Sequence, residues 1–510
     1  MTAAVEVKVE ETQVAVDTEV AMVIPQENTK NVVVDETKKG DDDADQVMNG
    51  DTDSKPATVQ KSSSYREESN FLSDLKEFEK KALTELKSKL EEAILGNNMF
   101  KKDEPKKKEI EKAEKSVKEE ETETKDQEIE KNQELEEEMK KPDEEVQEET
   151  KKPDEEVEEV VVVDKDVSIY GVPLLPSKGS EATDVILLKF LRARDFKVNE
   201  AFEMLKKTLQ WRKDSNIDSI LEEDLDLDLT SAFHMNGVDR EGHPVCYNIY
   251  SAFSDEELYS KAFGDEQKRK KFLRWRVQLM EKGIQNLDLK PGGVTSLLQI
   301  NDLKNSPAPS KKDLRVAMSQ AVSLLQDNYP EFVARNIFIN VPFWYYALNA
   351  LLSPFLTQRS KSKFVITRPA KVTETLLKYI PAQEIPIQYG GFKRENDFEF
   401  FPGDDEVSEL IVKPGTTETI EISSPEAGGI LIWDVTILGW EVNCKEEFVP
   451  NDEGSYTVII QNKKKMSSSE KPIRNTFTNN EAGKVVLTIE NSSSKKKRVL
   501  YRYKTKKSVA

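Results

Sequence analysis

Few side chains in this sequence can do covalent chemistry. Its 510 residues hold 2 His and 2 Cys: His234, His243, Cys246 and Cys444. That count excludes a disulfide framework and a Cys/His zinc module, and it points to a reducing, intracellular compartment. His234 and His243 flank the turn cluster Asn236–Pro244, so they are expected as turn and surface histidines. Both cysteines sit in strand-like runs, where a free thiol acts as a small buried hydrophobe. No G-x-G-x-x-G follows a strand, and neither a G-x-x-x-x-G-K-[ST] loop nor a G-x-S-x-G elbow occurs. The expectation is a binding protein without catalytic residues, metal or cofactor.

Cations are the richer resource. The net charge of −21 is unevenly placed. Residues 1–160 carry 26 Lys and Arg against 48 Asp and Glu; the rest carries 49 against 48. The acidity is therefore a tail, and the overall charge does not exclude anionic partners. Residues 405–454 hold 2 basic and 12 acidic residues, and 455–510 hold 14 and 3. The basic half contains Lys463, Lys464 and Lys465, then Lys495, Lys496, Lys497 and Arg498. Near an anionic leaflet each contributes about 1 kcal/mol, attenuated by salt. They are the candidate membrane-docking residues; a solubilising surface or an import-like cluster is the alternative. Lys268–Lys271, Arg274 and Arg276 share a helix with apolar residues. They are expected as a solvated helix face, with no nucleic-acid partner.

The elements that must position these groups fall into three textures. Residues 1–160 have low hydrophobicity and high charge, which cannot offset backbone entropy, so most of the region is expected to be disordered. It repeats K-K-P-D-E-E-V at Lys140–Val146 and Lys151–Val157. One island differs: Phe71, Leu75, Phe78, Ala82, Leu86, Leu90 and Ile94 share one helical face over 69–95, with Ser69 as a possible cap. Docking on the protein's own core and pairing with a partner or membrane fit it equally. From Asp184 two short helices, the second with Asn199 as expected N-cap, precede alternating strands and helices. These are strands at Val245–Tyr250, Ser296–Leu303, Asn336–Val341 and Phe364–Thr367, with helices near 265–287, 311–328 and 372–379. That alternation predicts a mainly parallel α/β sheet. After Gly390-Gly391, short alternating runs separated by Pro, Gly, Asn and Ser predict an all-β sandwich. No apolar run is long enough to span a bilayer.

One segment, Ile339–Leu356, is apolar nearly all round and broken by Pro342 and Pro354. It suits a buried core helix or a lid over an apolar pocket. Together with seven short motifs it carries a resemblance. These are Leu187–Phe196 with Trp211-Arg212-Lys213; Asp239-x-x-Gly242-x-Pro244-Val245; Asp302-Leu303-Lys304; Asn328-Tyr329-Pro330-Glu331; Ile339-Asn340-Val341-Pro342; Pro354-Phe355-Leu356 with Ser362-Lys363; and Ile380-Pro381 through Tyr389-Gly390-Gly391. In that order they resemble CRAL-TRIO lipid-transfer domains, and the β region after 400 resembles a GOLD domain. An acidic tail followed by both modules resembles the patellins.

The resemblance implies a multidomain chain. It would have a mostly disordered acidic region (1–160), a CRAL-TRIO N-terminal helical part (165–230), a CRAL-TRIO lipid-binding domain (231–395) and a GOLD sandwich (400–510). It implies an apolar pocket closed by Phe343, Trp344, Tyr345, Leu348, Leu351, Leu352 and Phe355. Headgroup roles carry over to Arg194, Glu331 and Lys363, whose chemistry suits phosphate and inositol hydroxyls. Leu297, Gln299, Met235 and Cys246 replace the hydroxyl residues and tyrosines that hold phosphatidylcholine in some members, which leaves phosphatidylinositol or a phosphoinositide as the expected lipid. Extracting two acyl chains of some 30 methylenes costs on the order of 24 kcal/mol, so uptake has to occur while docked on the bilayer. The resemblance further implies a cytoplasmic, peripheral membrane protein at the cell plate, plasma membrane or endomembranes, acting in traffic and cytokinesis. The alternatives are an adaptor that recruits protein partners through tail and GOLD domain, and a carrier of a non-phospholipid hydrophobe.

Overall fold

The computed structural model describes residues 67–100, 166–307, 311–342, 362–401 and 407–507. The tandem repeat and all seven expected lid residues, Phe343 to Phe355, lie outside that set.

The apolar island forms helix α1 (Glu77–Leu95). It starts eight residues after Ser69, whose hydroxyl donates instead to Asp74 Oδ2 at 2.7 Å. The helix start is fixed by Glu79, whose carboxylate accepts the Lys76 amide at 2.9 Å. Leu83, Leu86, Leu90 and Ile94 are buried against α2 (Glu181–Ala193) and α3 (Val198–Asp214) in one core with Leu187, Leu191, Leu205 and Leu209. Of the two placements open for this helix, the structure has the docked one. Fully burying Leu86 and Leu90 stabilises by roughly 1.5–3 kcal/mol each. Helix α3 begins one residue before Asn199, which is therefore not its cap; its side chain accepts a hydrogen bond from Lys89 of α1. A two-stranded ribbon, β1 (Ser168–Ile169) with β2 (Val172–Pro173), leads into α2.

The central sheet runs in the order β3 (Phe233–Val238), β4 (Pro244–Ile249), β5 (Leu297–Asp302), β6 (Val333–Ile339), β7 (Phe364–Ile366). β3 is antiparallel to β4, and the other pairings are parallel. Helices α4 (Glu256–Phe263), α5 (Glu266–Ile284), α6 (Lys312–Asn328) and α7 (Val372–Tyr379) connect and cover it. Asp265 caps α5 by accepting the Lys268 amide at 2.8 Å. Gly283 lets α5 approach β5: a Cβ there would lie 3.1 Å from Leu297.

Side chains alternate across the sheet. Val245, Tyr247, Leu298, Ile300, Ile337 and Ile339 share the face packed on α7 and on Ile380, Ile385 and Phe392. The opposite face, toward α5, carries Cys246, Asn248, Gln299, Asn301 and Asn336.

The sandwich pairs two antiparallel sheets, β13-β10-β15-β8 and β12-β11-β14-β9. Their strands are β8 (Ser408–Val412), β9 (Thr417–Ser424), β10 (Gly429–Leu438), β11 (Glu441–Pro450), β12 (Val458–Ser467), β13 (Ile473–Thr478), β14 (Gly483–Glu490) and β15 (Lys497–Lys507). Trp433, Val435 and Ile437 pack inside against Phe448, Val485 and Leu487. β13 escapes sequence reading: it is a polar, half-exposed edge strand with weak alternation.

A buried charge cluster joins the two domains. Asp434 of β10 accepts from Arg394 at 3.1 Å, from Arg474 at 2.8 and 2.6 Å, and from Arg502 at 2.8 Å. Asp397 takes Arg474 at 2.7 and 2.8 Å, and Arg502 also donates to the Phe392 carbonyl at 3.0 Å. Burial would raise the Asp397 carboxyl; the Arg474 hydrogen bonds and two backbone amides win and hold it at about 2.

Candidate functional site

Helix α6 ends at the turn Tyr329-Pro330-Glu331. Tyr329 is anchored by its hydroxyl, which donates to Glu281 Oε1 at 2.5 Å, and the same carboxylate takes Arg212 at 2.5 Å. Glu331 then adopts φ +58°, a left-handed conformation that non-glycine residues rarely hold unless their surroundings impose it. Here two lysines impose it. Lys363, just before β7, donates to Glu331 Oε2 at 2.7 Å and to the Val333 carbonyl at 3.2 Å. Lys189 of α2 donates to the Glu331 carbonyl at 2.8 Å and lies 4.5 Å from the Phe332 ring centre. Both Glu331 and Lys363 are largely buried.

Arg194 stands apart. It caps α2, and its Nη1 donates to the Ala193 carbonyl at 3.0 Å, with no contact to Glu331 or Lys363 among the described residues. Lys189 takes a place in the cluster that sequence reasoning missed. The available signal was its position: with Val185, Leu188 and Arg192 it falls on the apolar face of a helix. Burial drives the Lys189 pKa down to about 7 against the pull of Glu67 and Glu331.

Glu67 is the second surprise, because it belongs to the segment expected to be mostly disordered. It accepts from Ser296 at 2.5 Å and pairs with His243 Nε2 at 2.8 Å, while Asp239 holds His243 Nδ1 at 2.8 Å. Beside it Arg192 reaches Glu68 at 2.9 Å, Asn70 at 2.6 Å and the Ser69 carbonyl at 2.6 Å. His243 is thus a buried ion-pair partner and not a surface histidine. Burial would lower its pKa, but the two carboxylates raise it to about 10; the same contacts bring Glu67 down to about 2 against burial. His234 also departs from expectation: it lies within β3, half-buried, stacked on the Tyr247 ring with centroids 5.7 Å apart, and its Nδ1 bonds the Thr230 carbonyl at 3.0 Å. Cys246 and Cys444 are free and buried.

The expected solvated face of α5 holds for Lys268–Lys271, which are exposed or half-exposed, and not for Arg274 and Arg276. Arg274 pairs with Glu223, and Arg276 points inward, its Nη1 donating to Asn248 Oδ1 at 3.2 Å. In the sandwich, Lys464, Lys495 and Lys496 are exposed, and Lys463 and Lys465 are exposed but paired with Glu490 and Glu441. Lys497 and Arg498 do not offer their charge outward. Lys497 is buried on the Gly439 carbonyl, and Arg498 clasps Glu409 at 2.5 and 2.8 Å, because strand alternation turns them onto neighbouring backbone and acid. Trp440, 73% exposed, stands at the β10–β11 turn; Trp440 O accepts from the Ser468 amide, and the preceding Gly439 holds Lys497. Among the described residues no His, Cys, Asp and Glu cluster could hold a metal ion, and no helix is long and apolar enough to cross a membrane.

Comparison with known proteins finds matches to three family models. A CRAL/TRIO N-terminal domain model matches residues 131–207, a CRAL/TRIO domain model matches 230–391, and a model described as a Patellin-1-like C-terminal GOLD domain matches 413–497. Patellin-4 of Arabidopsis thaliana is 57% identical over 549 residues, covering 98% of each chain. Patellin-3 of the same plant is 50% identical over 348 residues, 67% of this chain and 70% of its own. A phosphatidylinositol transfer protein of Kluyveromyces lactis, SFH5, is 28% identical over 269 residues, covering 51% of this chain and 86% of its own. Since the identity to Patellin-4 runs through nearly the whole of both chains, this chain belongs to the patellin family.

Proposed function

We propose that this protein binds phosphatidylinositol or a phosphoinositide in its CRAL-TRIO domain, carries it between membranes without chemically altering it, and docks peripherally on acidic bilayers through the GOLD sandwich. The observation that carries the reading is the Glu331–Lys363 pair beside Lys189. Two ammonium groups converge on one strained glutamate at the edge of the sheet, and a headgroup phosphate can take Lys363 while Glu331 accepts inositol hydroxyls. Arg194, at the end of the helix that carries Lys189, remains a candidate for a second phosphate contact. The name borne by SFH5 fits this lipid class. The cellular setting we propose is membrane traffic, including cell-plate formation during cytokinesis.

The test is transfer of labelled phosphatidylinositol between vesicles. Lys363→Ala should lower the rate at least about tenfold, the worth of one charge-assisted contact. Transfer at the wild-type rate would reject the headgroup assignment. Docking is tested separately. Neutralising Lys464, Lys495 and Lys496 together should abolish co-sedimentation with phosphatidylserine vesicles at physiological salt and restore part of it at low salt. Trp440→Ala should weaken binding at every salt concentration, since it removes an interfacial aromatic and no charge. Unchanged sedimentation of both variants would remove the docking surface.

A second reading has one observation in its favour. Tyr456, Val458 and Ile459 are exposed on or beside the edge strand β12, a surface that suits a protein partner and hence an adaptor role.

A further inference from the structure

The sheet face toward α5 has the wrong chemistry for a floor that meets only acyl chains. Its polar residues are linked: Asn248 Nδ2 donates to Asn301 Oδ1 at 2.9 Å, and Asn301 Nδ2 reaches Asn336 Oδ1 at 3.5 Å. Arg276 enters from α5 with its guanidinium 4.1 Å from the Phe233 ring centre. Among the described residues the Nη1 bond to Asn248 is its one hydrogen bond, and its buried Nε has no partner. No carboxylate faces it among the described residues, and burial lowers its pKa. The Tyr250 hydroxyl also makes no hydrogen bond among the described residues, and burial pushes its pKa up.

Two other buried arginines are matched with acids: Arg212 with Glu281 and Asp218, Arg502 with Asp434 and Asp397. A buried guanidinium left without a counter-charge is costly and persists where something else supplies the charge. Arg276 and Tyr250 are half-buried and keep some accessible area.

We propose that Arg276, Asn248 and Tyr250 form an oxyanion site inside the CRAL-TRIO domain, which takes the carboxylate or phosphate of a long-chain amphiphile. Arg276 supplies the charge, Tyr250 a hydroxyl donor, and Asn248 holds the guanidinium in place. The site lies on β4, separated by β5 from β6 and β7, where Glu331 and Lys363 pair. It rests on the reading of this domain as a lipid carrier and adds a second anchoring point.

The experiment uses delipidated full-length protein titrated with oleate, 1-oleoyl lysophosphatidic acid and oleyl alcohol, three probes that share one chain length. The wild type should bind at least one anion about tenfold or more tighter than the alcohol. Preference for oleate identifies a carboxylate, and preference for the lysolipid a phosphate. Arg276→Met should erase the preference and leave alcohol binding as it was; Arg276→Lys should keep part of it. Equal binding of all three probes by the wild type overturns the proposal even if Arg276→Met does not fold. A preference that survives in Arg276→Met overturns it too. Loss of the preference in Lys363→Ala would place the anion at the other cluster and has the same consequence. An Arg276-dependent preference in a protein that transfers no phosphatidylinositol would uphold this site and reject the phosphoinositide reading.

Discussion

At the scale of single residues, this protein places its charges by pairing. His243 shows how far that goes. It sits between Asp239 and Glu67, each 2.8 Å away, and it ties the chain entering α1 to the turn before β4. The two titrations bound a pH window. The histidine pKa is raised from 6.5 to about 10, so its contribution is full below 6.5 and is lost as pH rises to 10. The Glu67 pKa is lowered from 4.5 to about 2, so its contribution is full above 4.5 and is lost as pH falls to 2. The latch is strongest between those limits. Glu67→Gln should cost on the order of 1–2 kcal/mol near pH 6 and flatten the loss of stability between pH 7 and 10. Urea midpoints across that range check it; superimposable profiles for variant and wild type would exclude the latch.

At the scale of elements, α1 contributes its whole apolar face to the helical core although it lies in an acidic, low-complexity stretch. Leu86 and Leu90 are fully buried. Leu86→Ala or Leu90→Ala should therefore cost about 2–5 kcal/mol, as cavities in packed cores do. Thermal unfolding measures this, and a loss below about 0.5 kcal/mol would mean that the helix is not docked. Its periodicity was legible in the sequence; its destination was not, because a regular apolar stripe fits the protein's own core and a foreign surface alike. The same limit applied to α5. Arg274 and Arg276 lie in a basic run that resembles a solvated face, yet two residues apart on a helix they point in different directions, one to Glu223 and one to the sheet.

At the scale of the whole molecule, the two domains are fastened by Asp434 and Asp397 with three arginines, and by Leu438 and Leu500, which pack with the α7 side of the sheet. Asp434→Asn leaves three guanidinium groups around a single carboxylate. It should cost about 3–5 kcal/mol, the usual result of breaking a buried pair from one side. Calorimetry should show a lower transition, and limited proteolysis faster cutting near 395–407. An unchanged transition would mean that the apolar contacts alone hold the domains. The folded Asp397 pKa is depressed, so its contribution is present above about 3.8 and disappears as pH falls toward 2.

The order of modules, the strand and helix alternation, the sandwich and the Glu331 and Lys363 motifs were all determined locally. Periodicity and short motifs record which way a side chain faces within its own element. Only the tertiary structure decided what lay across from each face. It brought Lys189 to the Glu331 cluster and Glu67 to His243, left Arg194 on its own helix end, turned Lys497 inward and set Arg276 where no acid faces it among the described residues. Those outcomes depend on contacts between residues more than 100 positions apart in the case of Lys189 and Glu331, 331 less 189 being 142. A one-dimensional pattern holds no record of such distances, and burial is a property of the packed whole.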